Sequence, residues 1–381
     1  MSANKLKIGL VFDGSLDKTD GVQQYVLILG RWLSDQGHDV HYLVGATNRT
    51  DPPNIYSLSR NVQVRFNKNR MATPLPANLR AIRSLLSREK FDVLHIQVPY
   101  SPVLAGRIIK AADPRTAVVG TFHILPHSPL VSLANHLLGR AVRGSLRRFD
   151  VITSNSHATA AFASRAYGAV GPVIPLAIEL DRFYDAKPFV KYKPGKTVMF
   201  LGRLVERKGC QYLLRAVSLL VSTRKWPSDA RVVICGDGHM RPKLERYVQE
   251  HNLSEIVEFT GFITEQDKPR YLASADVVVY PSTGGESFGI VLLEAMASSP
   301  GVVLAGDNPG YASVMAPHPE SLFDPYDTPK LAQKILENLT NDKRRNAAND
   351  WQREYIQQFD VDSVGKQNVE LYNQALHKRR G

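Results

Sequence analysis

At 381 residues the chain is too long for one typical hydrophobic core and predicts two domains. Hydrophobic residues make up 43% and charged residues 22%, the balance of an ordinary folded protein, and no run approaches the ~18 apolar residues of a membrane span. The net charge of +12 asks for an anionic partner without choosing among nucleotide-sugar, lipid surface and nucleic acid, and the two distant cysteines, Cys210 and Cys235, read as buried thiols of a reducing compartment.

Residues Met1 to Lys5 lead into a strand rather than a signal peptide, so a cytoplasmic protein is expected. Leu6 to Phe12 reads as a first parallel strand, Asp13 to Gly21 as a polar loop, Val22 to Leu33 as a helix and Val40 to Val44 as a second strand. This alternation predicts a doubly wound sheet, whose ligands collect at the carboxyl ends of its strands. Gly21 is then either a backbone contact or a turn glycine beside a capping Asp20.

After an irregular stretch from Thr47 to Pro76, a helix is expected over Asn78 to Arg88 and a strand over Phe91 to Ile96. Thr116 to His123 is a further strand, with His123 at its carboxyl edge as either a packing residue or a ligand contact. Leu138, Val142 and Leu146 form an apolar stripe, with Arg140, Arg143 and Arg147 on another side; Arg80 and Arg83 give the earlier helix a basic side. Such helices lie on an anionic membrane or simply form the surface of a soluble domain.

Asp185 to Gly195 is expected as the linker between a first domain, 1–190, and a second, 191–355, with 356–381 as a terminal helix. The second domain opens with a strand ending at Leu201, followed by Gly202-Arg203-Leu204-Val205-Glu206-Arg207-Lys208-Gly209 and a helix from Cys210. Arg203 offers a planar fork and Lys208 a compact cation, suited to a diphosphate or equally to a plain surface. Asp360-Val361-Asp362 is formally a metal-binding pattern, but it lies in the tail and no metal is expected.

The most informative stretch is Gly284-Gly285-Glu286-Ser287-Phe288-Gly289-Ile290-Val291-Leu292-Leu293-Glu294-Ala295-Met296-Ala297, which follows an apolar run ending at Tyr280. It reads as strand, glycine loop and helix N-terminus, where unpaired N–H groups and the helix dipole favour an anion. If the segment is mostly helical, Glu286 and Glu294 stand about 12 Å apart along the axis, one on each side of a bound diphosphate. The alternative is an ordinary helix start with a solvated glutamate.

Glu286 and Glu294 form the E-x7-E pattern of retaining family 4 glycosyltransferases, and the run from Gly284 to Ala297 resembles that of bacterial phosphatidyl-myo-inositol mannosyltransferases. The resemblance extends to the Asp92-Val93-Leu94-His95 strand, the Gly120-Thr121-Phe122-His123 strand end and the 202–209 loop. It implies a GT-B fold: α/β, two doubly wound Rossmann-like domains facing across a cleft, with the terminal helix crossing back to the first. It implies donor contacts at Gly21, Gly202, Ser287, Phe288, Gly289, Ile290 and Glu294, with catalytic roles for His123, Glu286, Arg203 and Lys208. It further implies a mannosyl group from GDP-mannose, no cofactor, a lipid or glycolipid acceptor, and an enzyme peripheral to the inner face of the cell membrane through Arg80, Arg83, Arg140, Arg143 and Arg147.

The chain departs from the pattern at Asp20, where the family has a glycine, at Gln97, where the inositol enzymes have an acid, over Ile124 to Ser128, and at Leu176 to Glu179. Rival expectations are transfer from UDP-glucose to a soluble acceptor and a silent module binding anionic lipid. No basic segment interleaved with aromatics favours nucleic acid.

Overall fold

A computed structural model of the chain describes residues 5–17, 20–59, 61–66, 69–75, 77–126 and 128–381. Residues 1–4 of the expected lead-in, 18–19 of the loop before Gly21, Pro76 and His127 lie outside the described residues. The chain forms two compact units, residues 1–178 with 361–381, and residues 179–360.

The first unit holds strands β1 (Lys7–Phe12), β2 (Asp39–Val44), β3 (Ile55–Ser57), β4 (Asn61–Phe66), β5 (Asn69–Pro74), β6 (Val93–Ile96), β7 (Ala117–Phe122) and β8 (Val151–Ser154). Its helices are α1 (Gly21–Asp35), α2 (Leu79–Glu89), α3 (Leu104–Ala111), α4 (Pro129–Leu146) and α5 (His157–Tyr167). Six strands form a parallel sheet in the order β3-β2-β1-β6-β7-β8, and β4 and β5 make a separate antiparallel hairpin inside the stretch expected to be irregular. Every residue of β6 and β7 is buried, because helices cover both faces of a parallel sheet and its strands become continuous apolar runs. Ile82, Leu85 and Leu86 of α2, Ile108 of α3, Val142 of α4 and Phe162 of α5 share one core on one side of the sheet.

The second unit begins with α6 (Asp181–Tyr184) and continues with β9 (Lys196–Leu201), α7 (Cys210–Ser222), β10 (Ala230–Cys235), α8 (Arg241–Glu250) and β11 (Val257–Gly261). Then come α9 (Lys268–Ala273), β12 (Val277–Tyr280), α10 (Ile290–Ser298), β13 (Val302–Gly306), α11 (Pro309–Met315), β14 (Leu322–Phe323), α12 (Thr328–Thr340) and α13 (Asp342–Tyr355). Its parallel sheet runs β11-β10-β9-β12-β13-β14, the same winding as the first. The strand order reverses at β1/β6 in one sheet and at β9/β12 in the other, and a ligand crevice opens beyond such a reversal. The loops that follow those four strands lead to Gly21 at the start of α1 and contain Gln97, Lys208 and Glu286.

Two expectations need correction. Asp185 to Gly195 is no free linker: Phe189 stacks 4.7 Å from Tyr271, its N–H donates to Ser274 Oγ at 2.9 Å, and Tyr192 is buried, so the segment belongs to the second unit. The terminal helix, α14 (Val361–Arg380), starts five residues later than 356, because Ile356 and Phe359 are packed in the second unit. Asp360 accepts the Leu180 N–H at 3.3 Å, and Asp362 accepts from Trp32 Nε1 at 3.3 Å, so that pair of acids serves the junctions of the chain. Helix α14 closes the first unit against α1, with Asn368 bonded to the Tyr25 hydroxyl and Tyr372 buried. Cys210 and Cys235 are both buried and free. Among the described residues no helix is long and apolar enough to cross a membrane.

Candidate active site

In the second unit two loops are fastened to each other at the sheet's switch point. Gly209 has φ +78°, and a side chain there would place its Cβ 1.8 Å from the Pro281 carbonyl, so only glycine lets the 202–209 loop lie against the loop after β12. The Thr283 N–H and the Ser282 hydroxyl both donate to Arg207 O, at 2.9 and 3.0 Å. Asn308, which caps α11, donates to Ser282 O at 3.1 Å and fixes the loop from its far side.

This frame holds Glu286 in a buried position. Its Oε1 accepts from Arg207 Nη1 at 2.6 Å, from Lys208 Nζ at 2.9 Å and from Ser282 Oγ at 2.9 Å, and its Oε2 lies 3.1 Å from Lys208 Nζ. Burial pushes the carboxyl pKa up, but Lys208 and Arg207 more than offset it and hold Glu286 below the usual glutamate range. Burial also lowers the pKa of Lys208; Glu286 opposes this, while Arg207 and the exposed Arg203 push the same way. Two cations therefore meet one carboxylate, and Arg203 adds a third positive charge near Lys208, so cations outnumber the carboxylate beside the start of α10.

Gly289 caps α10 with φ +110°, and a Cβ there would stand 2.6 Å from the Tyr311 ring. The helix therefore starts at Ile290, and the expected helical spacing from Glu286 to Glu294 does not apply, since Glu286 to Gly289 is a loop. Phe288 turns its ring inward against Phe359, so only its backbone remains for a ligand. Gly202 sits at the end of β9, its N–H donating to Cys235 O at 2.9 Å. The first N–H groups of α10 face the loop with no partner inside the helix, and an anion placed there meets both the dipole and the excess cations.

Glu294 lies inside α10, 6% exposed, with Oε1 paired to Lys268 Nζ at 2.8 Å. Lys268 also pairs with Glu265 at 2.7 Å, and these two acids raise its pKa despite the lowering effect of burial. Glu294 Oε2 is buried and has no hydrogen-bond partner among the described residues. An unpaired buried carboxylate oxygen is costly, which makes this atom an open acceptor for a ligand hydroxyl. Sequence reasoning missed Arg207 and Lys268. Arg207 was an unspecified position of the 202–209 pattern, and Lys268, opening a short helix before Pro269, carries no local signal that it is buried.

In the first unit, Gly21 opens α1 behind Asp20, which is the helix cap; the Asp20 N–H donates to Gln23 Oε1 at 2.9 Å, and Gln23 Nε2 donates to Ser15 O at 2.6 Å. His123 follows β7, with Nε2 2.8 Å from Gln97 Oε1 and its ring 6.1 Å from that of Tyr25. The amide oxygen only accepts, so Nε2 carries the proton and Nδ1, buried and without a hydrogen-bond partner among the described residues, is a free acceptor. Burial, aided by the nearby His95, pushes His123 down to about 3, so the ring is neutral at pH 7. His95 lies deeper, its Nδ1 2.8 Å from the Tyr372 hydroxyl and its Nε2 2.7 Å from Thr121 Oγ1.

Arg80, Arg83, Arg140, Arg143 and Arg147 are all exposed on α2 and at α4. The stripe Leu138, Val142 and Leu146 is a correction: Val142 and Leu146 are buried in the core and Leu138 packs against it, so that stripe faces inward.

The family model for glycosyl transferases group 1 matches residues 181–354, and the model for glycosyltransferase family 4 matches residues 19–182. The phosphatidyl-myo-inositol mannosyltransferase of Mycolicibacterium smegmatis is 31% identical over 376 residues, covering 96% of this chain and 93% of its own. A GDP-mannose-dependent monoacylated alpha-(1-6)-phosphatidylinositol monomannoside mannosyltransferase of Corynebacterium glutamicum is 26% identical, covering 91% and 92%. Among solved structures, sucrose-phosphate synthase from Thermosynechococcus elongatus superposes with a TM-score of 0.74 at 21% identity, covering 97% of this chain and 99% of that one.

Proposed function

Because the chain belongs to the family 4 glycosyltransferases and is an enzyme of GT-B fold, we propose that it moves a mannosyl group from GDP-mannose to a lipid or glycolipid acceptor. The observation that carries the donor half is the pairing of Arg207 and Lys208 on the single carboxylate of Glu286, with Arg203 near Lys208, beside the start of α10: a cation-rich place that suits the diphosphate of a nucleotide-sugar. The names of the mannosyltransferase relatives support the sugar and the lipid class of the acceptor.

In this reading the diphosphate lies against the N–H groups of Ser287, Phe288, Gly289 and Ile290, with Arg203 and Lys208 on its oxygens and the Gly21 and Gly202 backbones beside it. Glu294 Oε2 accepts a ribose hydroxyl, and Glu286 orients hydroxyls of the sugar. His123 Nδ1 accepts from a hydroxyl of the sugar or of the acceptor. The bond from the anomeric carbon to the phosphate oxygen breaks as negative charge grows on the leaving group, and the cations stabilise that charge more than the ground state. The acceptor oxygen enters on the same face, and its proton passes to the departing phosphate oxygen. The anomeric configuration is thereby retained without a covalent enzyme intermediate.

The enzyme acts in the cytoplasm at the inner membrane face. Offering GDP-mannose, UDP-glucose and UDP-N-acetylglucosamine to the purified chain, and following nucleotide release with and without lipid extracts, tests the donor. Turnover confined to GDP-mannose is expected, and absence of turnover with it sinks the proposal.

A further inference from the structure

The turn that leads into α10 has few side chains with which to hold its shape. Gly284, Gly285 and Gly289 have φ of +150°, +70° and +110°, so the backbone alone selects no single path through it. At one end Glu286 is clasped by Arg207, Lys208 and Ser282. At the other, next to the N–H groups that open the helix, the Phe288 side chain is buried.

Phe288 is the inner end of a column of rings. Its centroid lies 5.9 Å from that of Phe359 at an interplanar angle of 66°, and Phe359 lies 5.3 Å from Tyr355 at 71°. Tyr355 stacks 4.8 Å from Trp351, and Trp351 stacks 4.5 Å from His318. Edge-to-face and stacked contacts of this kind are directional, so each ring sets the tilt of the next. Trp351, Tyr355 and Phe359 recur at steps of four, which lines them along one face as α13 runs into the 3₁₀ turn Ile356–Phe359. The Tyr355 hydroxyl donates to Val314 O at 2.8 Å and ties the column to α11, whose Tyr311 ring lies against Gly289. One set of rings therefore grips the turn from two sides.

All of these residues lie within the second unit, and none of the column belongs to the core that α7, α8 and α12 share over the sheet, so the rings are not what closes that layer. Resting on the donor reading, we propose that Phe359 is a positioning residue for the nucleotide-sugar: its ring fixes Phe288 and so aims the N–H groups of Phe288, Gly289 and Ile290 at the diphosphate, with Tyr355 and Trp351 bracing it from behind. Without that ring the glycine turn keeps its sequence and its cations but loses the alignment of its donors.

Calorimetric titration of the full chain with GDP and with guanosine tests this. Phe359→Ala weakens GDP at least about tenfold, the scale of one hydrogen bond to a charged oxygen, and leaves guanosine, which has no phosphate to place, within about twofold of the wild type. KM for GDP-mannose rises with the GDP dissociation constant. Leu339→Ala removes a buried side chain from the core under α12, so it lowers stability to urea and leaves GDP affinity unchanged. Phe359→Leu keeps most of the apolar volume without the ring, and it shows the same selective loss should the alanine variant not fold. A folded Phe359 variant that binds GDP as the wild type does overturns the proposal, as does an equal loss of GDP and guanosine, or a loss of GDP in Leu339→Ala that matches the one in Phe359→Ala. A wild type that binds no GDP overturns the donor reading itself, so the two failures are distinct.

Discussion

Replacing Lys208 by methionine keeps most of the apolar stem and removes the charge, so the loop around Gly209 and Pro281 retains its packing. A unit charge about 4 Å from another in surroundings of effective dielectric near 20 is worth about 4 kcal/mol. Part of that is recovered, because Glu286 keeps Arg207 and Ser282 as partners and takes up a proton more readily once the lysine is gone. A net loss of about 3 kcal/mol at the transition state remains, roughly a 150-fold fall in kcat/KM. The same variant carries a stability signature. The folded pKa of Glu286 is depressed, so its contribution is present above the ordinary glutamate pKa and is lost as pH falls through the folded value. Without Lys208 that loss begins at higher pH. Steady-state release of GDP and urea denaturation at pH 4 to 7 measure both. A variant with wild-type kcat/KM and an unchanged stability profile would refute the reasoning.

Glu294→Gln weakens GDP binding by about tenfold or more, since a charge-assisted bond to the ribose is lost, while GDP retains its dependence on the Lys208 cluster; calorimetric titration of both variants reports this. Gln97→Glu places a carboxylate on His123 Nε2, with Tyr25 and His95 as the other groups facing the ring, and raises the histidine pKa. Activity of that variant then falls as pH drops through the raised value, because Nδ1 becomes a donor, whereas the wild type shows no histidine limb between pH 5 and 8; pH–rate profiles and histidine NMR distinguish the two. Tyr372→Phe leaves His95 Nδ1 buried without its hydroxyl partner and costs about 1–3 kcal/mol in urea denaturation, showing that α14 is part of the first unit.

The strands could be read from the sequence because parallel strands buried on both faces are uninterrupted apolar runs, as in β7 and β12. The 202–209 and 284–297 stretches were equally plain, since glycines between a strand and a helix leave few other readings. What failed depended on facts periodicity does not contain. Helix α4 carries two apolar stripes at helical spacing, and the one through Val142 and Leu146 is inward only because small Gly139 lets α4 approach α5. Nothing local distinguishes Lys268 from a surface lysine until Glu265 and Glu294 close around it. Prolines and lysines made Asp185 to Gly195 look like a linker, yet Phe189 and Tyr192 supply enough ring surface to pack it onto α9.

A crystal structure of the full chain with GDP bound tests the central claim most directly. Density for the β-phosphate against the N–H groups of Gly289 and Ile290, within hydrogen-bond distance of Lys208 Nζ and the Arg203 guanidinium, is the predicted result. A diphosphate bound away from the start of α10, with Lys208 still paired only to Glu286, would contradict it.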